Sequence, residues 1–174
     1  MQRHILSAFV LLALAGSARA DDPLGALRSK AEDKVKGSAN SAVVDKINAK
    51  LLDEGRKNQC SFKTDSDVLE PGCDEKAKRL ANLLIDMKKQ LAASNVKGYH
   101  FVVSGHTDST GKADHNVELS KKRAAAMAKE LAARGVPRDE IVPVGMGSQK
   151  MLVKPDDTPA KKAKNRRYEI QVQL

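Results

Sequence analysis

The run Tyr99-His100-Phe101-Val102-Val103-Ser104-Gly105 passes straight into His106-Thr107-Asp108-Ser109-Thr110-Gly111. Its first half is a compact aromatic and β-branched segment, which predicts a strand covered on both faces; its second half is a polar, glycine-flanked loop at that strand's carboxyl end. Directly downstream, Asn116, Ser120 and Arg123 fall at i, i+4 and i+7 and share one helical stripe. Val117, Ala124, Ala128 and Leu131 make an apolar stripe beside it. The helix is expected from about Asn116 to Arg134, with Gly135 ending it. A strand followed by a helix and a further strand needs a crossover, so the sheet is expected to be parallel or mixed. Sites in such sheets favour loops at the carboxyl ends of strands.

The pattern continues on both sides of this segment. Upstream, Ala77, Leu80, Ala81, Leu84, Met87 and Leu91 supply the buried stripe of a helix beginning near Asp74, and a short strand around Ser61 and Phe62 precedes it across a polar turn. Downstream, Ile141 to Val144 reads as a strand in which Pro143 points to an edge position. In Tyr168 to Leu174 the residues Tyr168, Ile170, Val172 and Leu174 alternate with polar ones, the period of a strand with one wetter face. The stretch from Gly147 to Lys164 shows no clear period. The expected order is β-α-β-α-β-β over residues 59–174, an α+β domain with helices packed on a mixed sheet. Residues 21–58 are expected to hold one amphipathic helix, with Val43, Val44, Ile47, Leu51 and Leu52 on its apolar face and Gly55 as its carboxyl cap.

Composition bounds the chemistry. The 174 residues include 31 Lys and Arg against 22 Asp and Glu, 41% hydrophobic and 30% charged residues, and only 3% aromatics. Such a chain can bury an aliphatic core and is too polar for an integral membrane bundle. It has too few aromatic rings to bind single-stranded nucleic acid by stacking. Residues 1–20 read as a cleaved export signal: Arg3, an uncharged run from Ile5 to Ala15, then Ala18-Arg19-Ala20. The run is shorter than the roughly 20 residues of a transmembrane helix. No Cys stands near the expected cut before Asp21, which disfavours acylation there. In an oxidising compartment Cys60 and Cys73 are expected to pair, closing a short loop; they form neither a four-ligand zinc set nor a C-x-x-C motif.

The loop and the polar stripe together can present a carboxylate and a guanidinium to one ligand. Asp108 would take an ammonium and Arg123 would grip a carboxylate through two parallel hydrogen bonds, which suits a zwitterionic amino acid end. The plainer reading has Asp108 accepting N–H bonds from its own turn, with Arg123 as its internal partner. His106 is expected to be a hydrogen-bonded structural residue.

Gly105-His106-Thr107-Asp108, Gly111, Asn116, Leu119-Ser120, Arg123-Ala124, Gly135-Val136, Gly145, Gly147 and Asn165-Arg166-Arg167 resemble the OmpA-like peptidoglycan-binding domain, over roughly Gln59 to Leu174. The resemblance implies a β-α-β-α-β-β two-layer sandwich that binds the peptide stem of peptidoglycan without cleaving it. It makes Asp108 and Arg123 the holders of the free end of meso-diaminopimelate, with Thr107 and Asn116 beside them. Thr64 and Asp65 would border the peptide in the first-strand loop, and Arg166 would close the other side. The chain departs from the family pattern at Lys63, where an acidic residue is frequent, at Met151, where Pro is common, and in its Cys60 and Cys73 pair.

The expected function is therefore non-catalytic peptidoglycan binding in the periplasm of a Gram-negative type envelope, against the wall or the inner face of the outer membrane. No cofactor, metal or nucleic acid is expected. The alternative is an envelope adaptor that recruits a protein partner through the helix around Val43 to Leu52. A metal site of His106, Asp108, Asp114 and His115 is disfavoured because Asp114 and His115 are adjacent and their side chains diverge. Asp108→Ala and Arg123→Ala are both expected to abolish binding while leaving the fold intact.

Overall fold

The computed structural model describes the backbone of residues 23–63 and 65–174, and side chains from residue 39 on. The export signal expected over residues 1–20 and the candidate site residue Thr64 lie outside the described residues. The chain divides into two compact units, Met1–Lys36 and Gly37–Leu174, and the second carries the site. In order, the described elements are α1 (Pro23–Lys57), α2 (Cys73–Ala93), β1 (His100–His106), α3 (Ala113–Ala133), a 3-10 turn (Arg138–Glu140), β2 (Ile141–Gly145), α4 (Pro159–Asn165) and β3 (Arg167–Gln173).

The sheet is mixed, as expected, with order β2-β1-β3. β1 runs parallel to β2 and antiparallel to β3, so Phe101 lies opposite Ile141 on one side and Val172 on the other. Burial along β1 alternates instead of covering both faces: Phe101, Val103 and Gly105 are buried, while Val102 and Ser104 are half-buried. β2 is an outer strand, where Pro143 is tolerated. The expected stripe of α2 is buried in full, and Asp74 and Glu75 complement the positive end of the helix dipole in its first turn. On α3 the core face is Ala124, Met127, Ala128 and Leu131, and Val117 is only half-buried.

Three local expectations need correction. The strand around Ser61 and Phe62 is reduced to a single bridge between Phe62 and Leu69, so residues 61–63 fold back against residues 68–70 as a narrow hairpin. At the outer edge of β3, side-chain amides take the backbone groups of two residues, Val172 and Tyr168. Asn48 donates to the Val172 carbonyl at 3.0 Å and accepts its N–H at 2.7 Å. Gln59 does the same at Tyr168, at 2.9 and 3.1 Å. Second, α1 continues past Gly55 to Lys57, so that glycine sits inside a helix, where it costs about 1 kcal/mol relative to Ala. Third, the aperiodic stretch contains α4, started by Thr158, whose hydroxyl accepts the Lys161 N–H at 3.3 Å, and by Pro159.

Cys60 and Cys73 form the disulfide, tying the base of the hairpin to the first residue of α2. A loop of this length is worth about 3 kcal/mol in the chain-entropy account. The α1 residues that the adaptor reading would offer to a partner are committed elsewhere: Val44, Ile47 and Leu51 are buried in the core of this unit.

Candidate functional site

Each residue of the polar stripe on α3 holds a different loop. Ser120 Oγ accepts the Gly147 N–H at 2.9 Å, fixing the segment after β2. Asn116 Nδ2 donates to the Thr110 carbonyl at 2.9 Å, closing the turn after β1. Arg123 reaches the hairpin, with Nε donating to the Ser66 carbonyl at 2.9 Å, Nη2 to the Lys63 carbonyl at 3.3 Å, and its guanidinium 5.2 Å from the centre of the Phe62 ring. Buried polar side chains on a helix are stable only when so satisfied. Here the partners are three loops that meet at the carboxyl ends of β1 and β2.

The helix can serve all three because two glycines let it lie against the strand ends. A Cβ on Gly105 would stand 2.2 Å from the Ser120 carbonyl oxygen, and one on Gly145 would stand 2.4 Å from that of Val117. The loops are also tied to each other: the Thr107 N–H donates to the Gly147 carbonyl and the Met146 N–H to the Gly105 carbonyl, both at 2.9 Å.

Asp108 is buried at the centre of this arrangement. Its Oδ1 accepts the Thr110 N–H at 2.9 Å and its Oδ2 accepts Nη1 of Arg166 at 2.8 Å. Burial alone would raise its carboxyl, but the bonds from Arg166 and Thr110 outweigh it and hold the group below its ordinary value. The ion-pair partner of Asp108 is thus Arg166, not Arg123. The plainer sequence reading had named the right turn and the wrong arginine. Arg123 stands across the same cavity and repels Arg166, which, after burial, is the next influence lowering its guanidinium.

The second rim is a stretch in which sequence reasoning had found no pattern. Asp156 accepts the Ser109 N–H at 2.9 Å and the Ser109 hydroxyl at 2.5 Å. With Asn165 donating as well, these bonds hold its carboxyl down at about 2. Asn165 is fully buried, accepts the N–H groups of Leu152 and Val153 and donates to the Val153 carbonyl. These side chains position Arg166, the next residue. Arg167 turns away: it bonds Glu169 at 2.7 Å and the Lys150 carbonyl at 3.1 Å, so it is structural. Asp65 is exposed at the rim, paired at 2.7 Å with His115. Thr107 Oγ1 is buried with no hydrogen-bond partner among the described residues. The arrangement lines a cavity of about 1090 Å³ that includes Asp65, Thr107, Asp108, Asn116, Arg123 and Arg166.

His106 is buried at the edge of this cavity, its Nε2 at 3.3 Å from Ser104 Oγ, while its Nδ1 has no hydrogen-bond partner among the described residues, so the hydrogen bonding expected of it is met at one ring nitrogen only. Burial first, and then Arg167, lower its pKa from 6.5 to about 4, against a smaller opposing pull from Glu169, with Lys150 adding to the decrease. The unfolded chain therefore takes up this proton before the folded one does. Stability is expected to be complete well above pH 6.5 and to fall as pH drops through that window toward 4. Urea titrations at half-unit pH steps read this directly, and His106→Gln should remove the slope between pH 6.5 and 5. An equal slope in that variant would place the proton elsewhere.

Among the described residues no group of three or more His, Cys, Asp and Glu side chains is placed to hold a metal ion, and no helix is long and apolar enough to cross a membrane.

Helices on a three-stranded mixed sheet, with a carboxylate and two guanidiniums facing one cavity at the strand ends, define an α+β module whose cavity has the charges to accept a charged ligand. The chain belongs to the OmpA family, whose model matches residues 61–166. It is 46% identical over 70 residues to the Peptidoglycan-binding protein ArfA of Mycobacterium tuberculosis, covering 40% of this chain and 21% of that protein. To the Probable lipoprotein YiaD of Escherichia coli it is 32% identical over 142 residues, 82% of this chain and 59% of that one. The chain thus spans less than two thirds of either relative. Its fold is also that of the peptidoglycan-associated lipoprotein from Burkholderia pseudomallei, with a TM-score of 0.54 at 24% identity over 66% of this chain and 89% of that chain.

Proposed function

We propose that the protein binds peptidoglycan without cleaving it, by holding the free amino acid end of meso-diaminopimelate in the peptide stem. The observation that carries this reading is the pairing of chemistry in one cavity: an anionic, partly saturated Asp108 faces Arg123 and Arg166. One oxygen of Asp108 is used by Thr110 and the other by Arg166, and a carboxylate has lone pairs beyond these two for an ammonium. Arg123 spends Nε and one Nη2 hydrogen on the hairpin and keeps its remaining N–H groups for a carboxylate. Because Arg166 neutralises Asp108, the site has net positive character, in line with the chain's +9 formal charge. The relative named as peptidoglycan-binding supports the same ligand class. Export to the periplasm fits both the reading of residues 1–20 and the Cys60–Cys73 disulfide.

The test is an NMR titration with a stem fragment containing meso-diaminopimelate and with the same fragment carrying Lys in its place. Saturable shifts at Thr107, Asp108, Asn116, Arg123 and Arg166 are expected with the first fragment only. Equal shifts with both would remove the diaminopimelate selectivity, and silence with both would overturn peptide-stem binding.

A further inference from the structure

The cavity does not end at Asp108 and Arg123. Its far wall is the carboxyl-terminal part of α1, where Leu51, Leu52, Gly55 and Arg56 line the same space of about 1090 Å³. Sites of roughly 300–1,000 Å³ suit ligands far larger than one amino acid end.

Gly55 is the informative residue on this wall. It lies inside a helix and is buried, and its φ is not in the left-handed region. A Cβ placed on it would meet nothing within 4 Å. Neither backbone conformation nor close packing therefore requires glycine here, and helix propensity opposes it. What the missing side chain does provide is open space on the cavity side of α1. Arg56 beside it is exposed, and the nearby acids are engaged by another cation: Lys57 Nζ holds Asp53 at 2.7 Å and Glu54 at 3.0 Å. Among the described residues Arg56 has no ion pair, so a guanidinium is left on the cavity wall with its bidentate carboxylate geometry unused.

We propose that the end of α1 is the second half of the ligand site. Gly55 leaves room for the part of an acidic peptide lying beyond the amino acid end held at Asp108, and Arg56 takes a carboxylate of that part. The proposal rests on the peptide-stem reading of the site and adds to it a ligand of several residues with more than one carboxylate. It makes the helical segment before the family-matched region a determinant of ligand length.

The experiment is calorimetry of the full chain with free meso-diaminopimelate and with a stem tetrapeptide, on wild type, Gly55→Leu and Arg56→Ala, with thermal melts alongside. Wild type is expected to gain about tenfold in affinity from the free amino acid to the tetrapeptide, the value of one charge-assisted contact. That gain should shrink to about threefold or less in each variant, with Gly55→Leu melting no lower than wild type because Leu is the better helix former and enters open space. Variants that keep the full gain, or a Gly55→Leu protein that melts well below wild type, would overturn the proposal. Wild type binding both ligands equally would remove the share of α1 alone. Wild type binding neither would overturn the peptide-stem reading itself.

Discussion

Asp108→Ala is expected to lower affinity for a diaminopimelate-bearing stem fragment by about a hundredfold while the protein stays folded, since truncating one partner of a buried charge pair costs at least a few kcal/mol in binding. The two effects separate because of how Asp108 is held. Within the protein it loses one N–H bond from Thr110 and an ion pair to Arg166, whose side chain is 46% exposed. A half-solvated pair contributes little, so the cost to folding is about 1 kcal/mol. In the complex, by contrast, the ligand's ammonium would face Arg166 with no carboxylate between them. Asp108→Asn keeps the Thr110 bond and should lose nearly as much binding, which isolates the charge from the turn. Calorimetry with a denaturation curve for each variant decides the matter. Affinity within threefold of wild type in both would show that the ammonium sits elsewhere.

Arg123→Ala does not make a matching control, although the sequence alone suggested that it would. Its guanidinium is buried, bonds two carbonyls of the hairpin and lies over Phe62. Removing it loosens residues 63–66 as well as the ligand contact, so lost binding in that variant has two causes. Asp108 carries the cleaner experiment.

This difference between the two residues marks where sequence reasoning stops. Local periodicity located α2, β1, α3, β2 and β3, because each buries one stripe or face and its pattern is written in consecutive residues. The polar stripe of Asn116, Ser120 and Arg123 was visible for the same reason. What each member grips was not, because the partners are backbone groups of Thr110, Gly147, Lys63 and Ser66 brought in by separate loops. The partner of Asp108 is 58 residues away in Arg166, and no spacing rule distinguishes it from Arg123. α4 had a signal that was passed over, the Thr158-Pro159 pair at its start. The missing first strand had none. The amides of Asn48 and Gln59 hold the outer edge of β3 at Val172 and Tyr168, and a lone Asn in a helix or a lone Gln just past its end does not advertise that role.

Gly105→Ala is expected to destabilise the protein by about 3 kcal/mol or more and to abolish ligand binding with it, since overpacking against backbone has no side chain to move aside. The added Cβ would lie 2.2 Å from the carbonyl oxygen of Ser120, 3.0 Å from its carbonyl carbon and 3.3 Å from its Cα. Relief requires α3 to lift off β1, yet the same helix is seated on Gly145, where a Cβ would come within 2.4 Å of the Val117 carbonyl oxygen. Lifting α3 carries Asn116 and Arg123 away from the loops they hold, so the site is lost before the core is. Gly55→Ala supplies the contrast: the same atom enters open space inside a helix and should stabilise by about 0.5–1 kcal/mol. Urea denaturation of both variants reads the difference. A Gly105→Ala protein within 1 kcal/mol of wild type would mean that α3 rides higher on the sheet, at ordinary packing distance. In that case the polar stripe could not reach its three loops, and the geometry that brings Asp108 and Arg123 to one cavity would have to be drawn again.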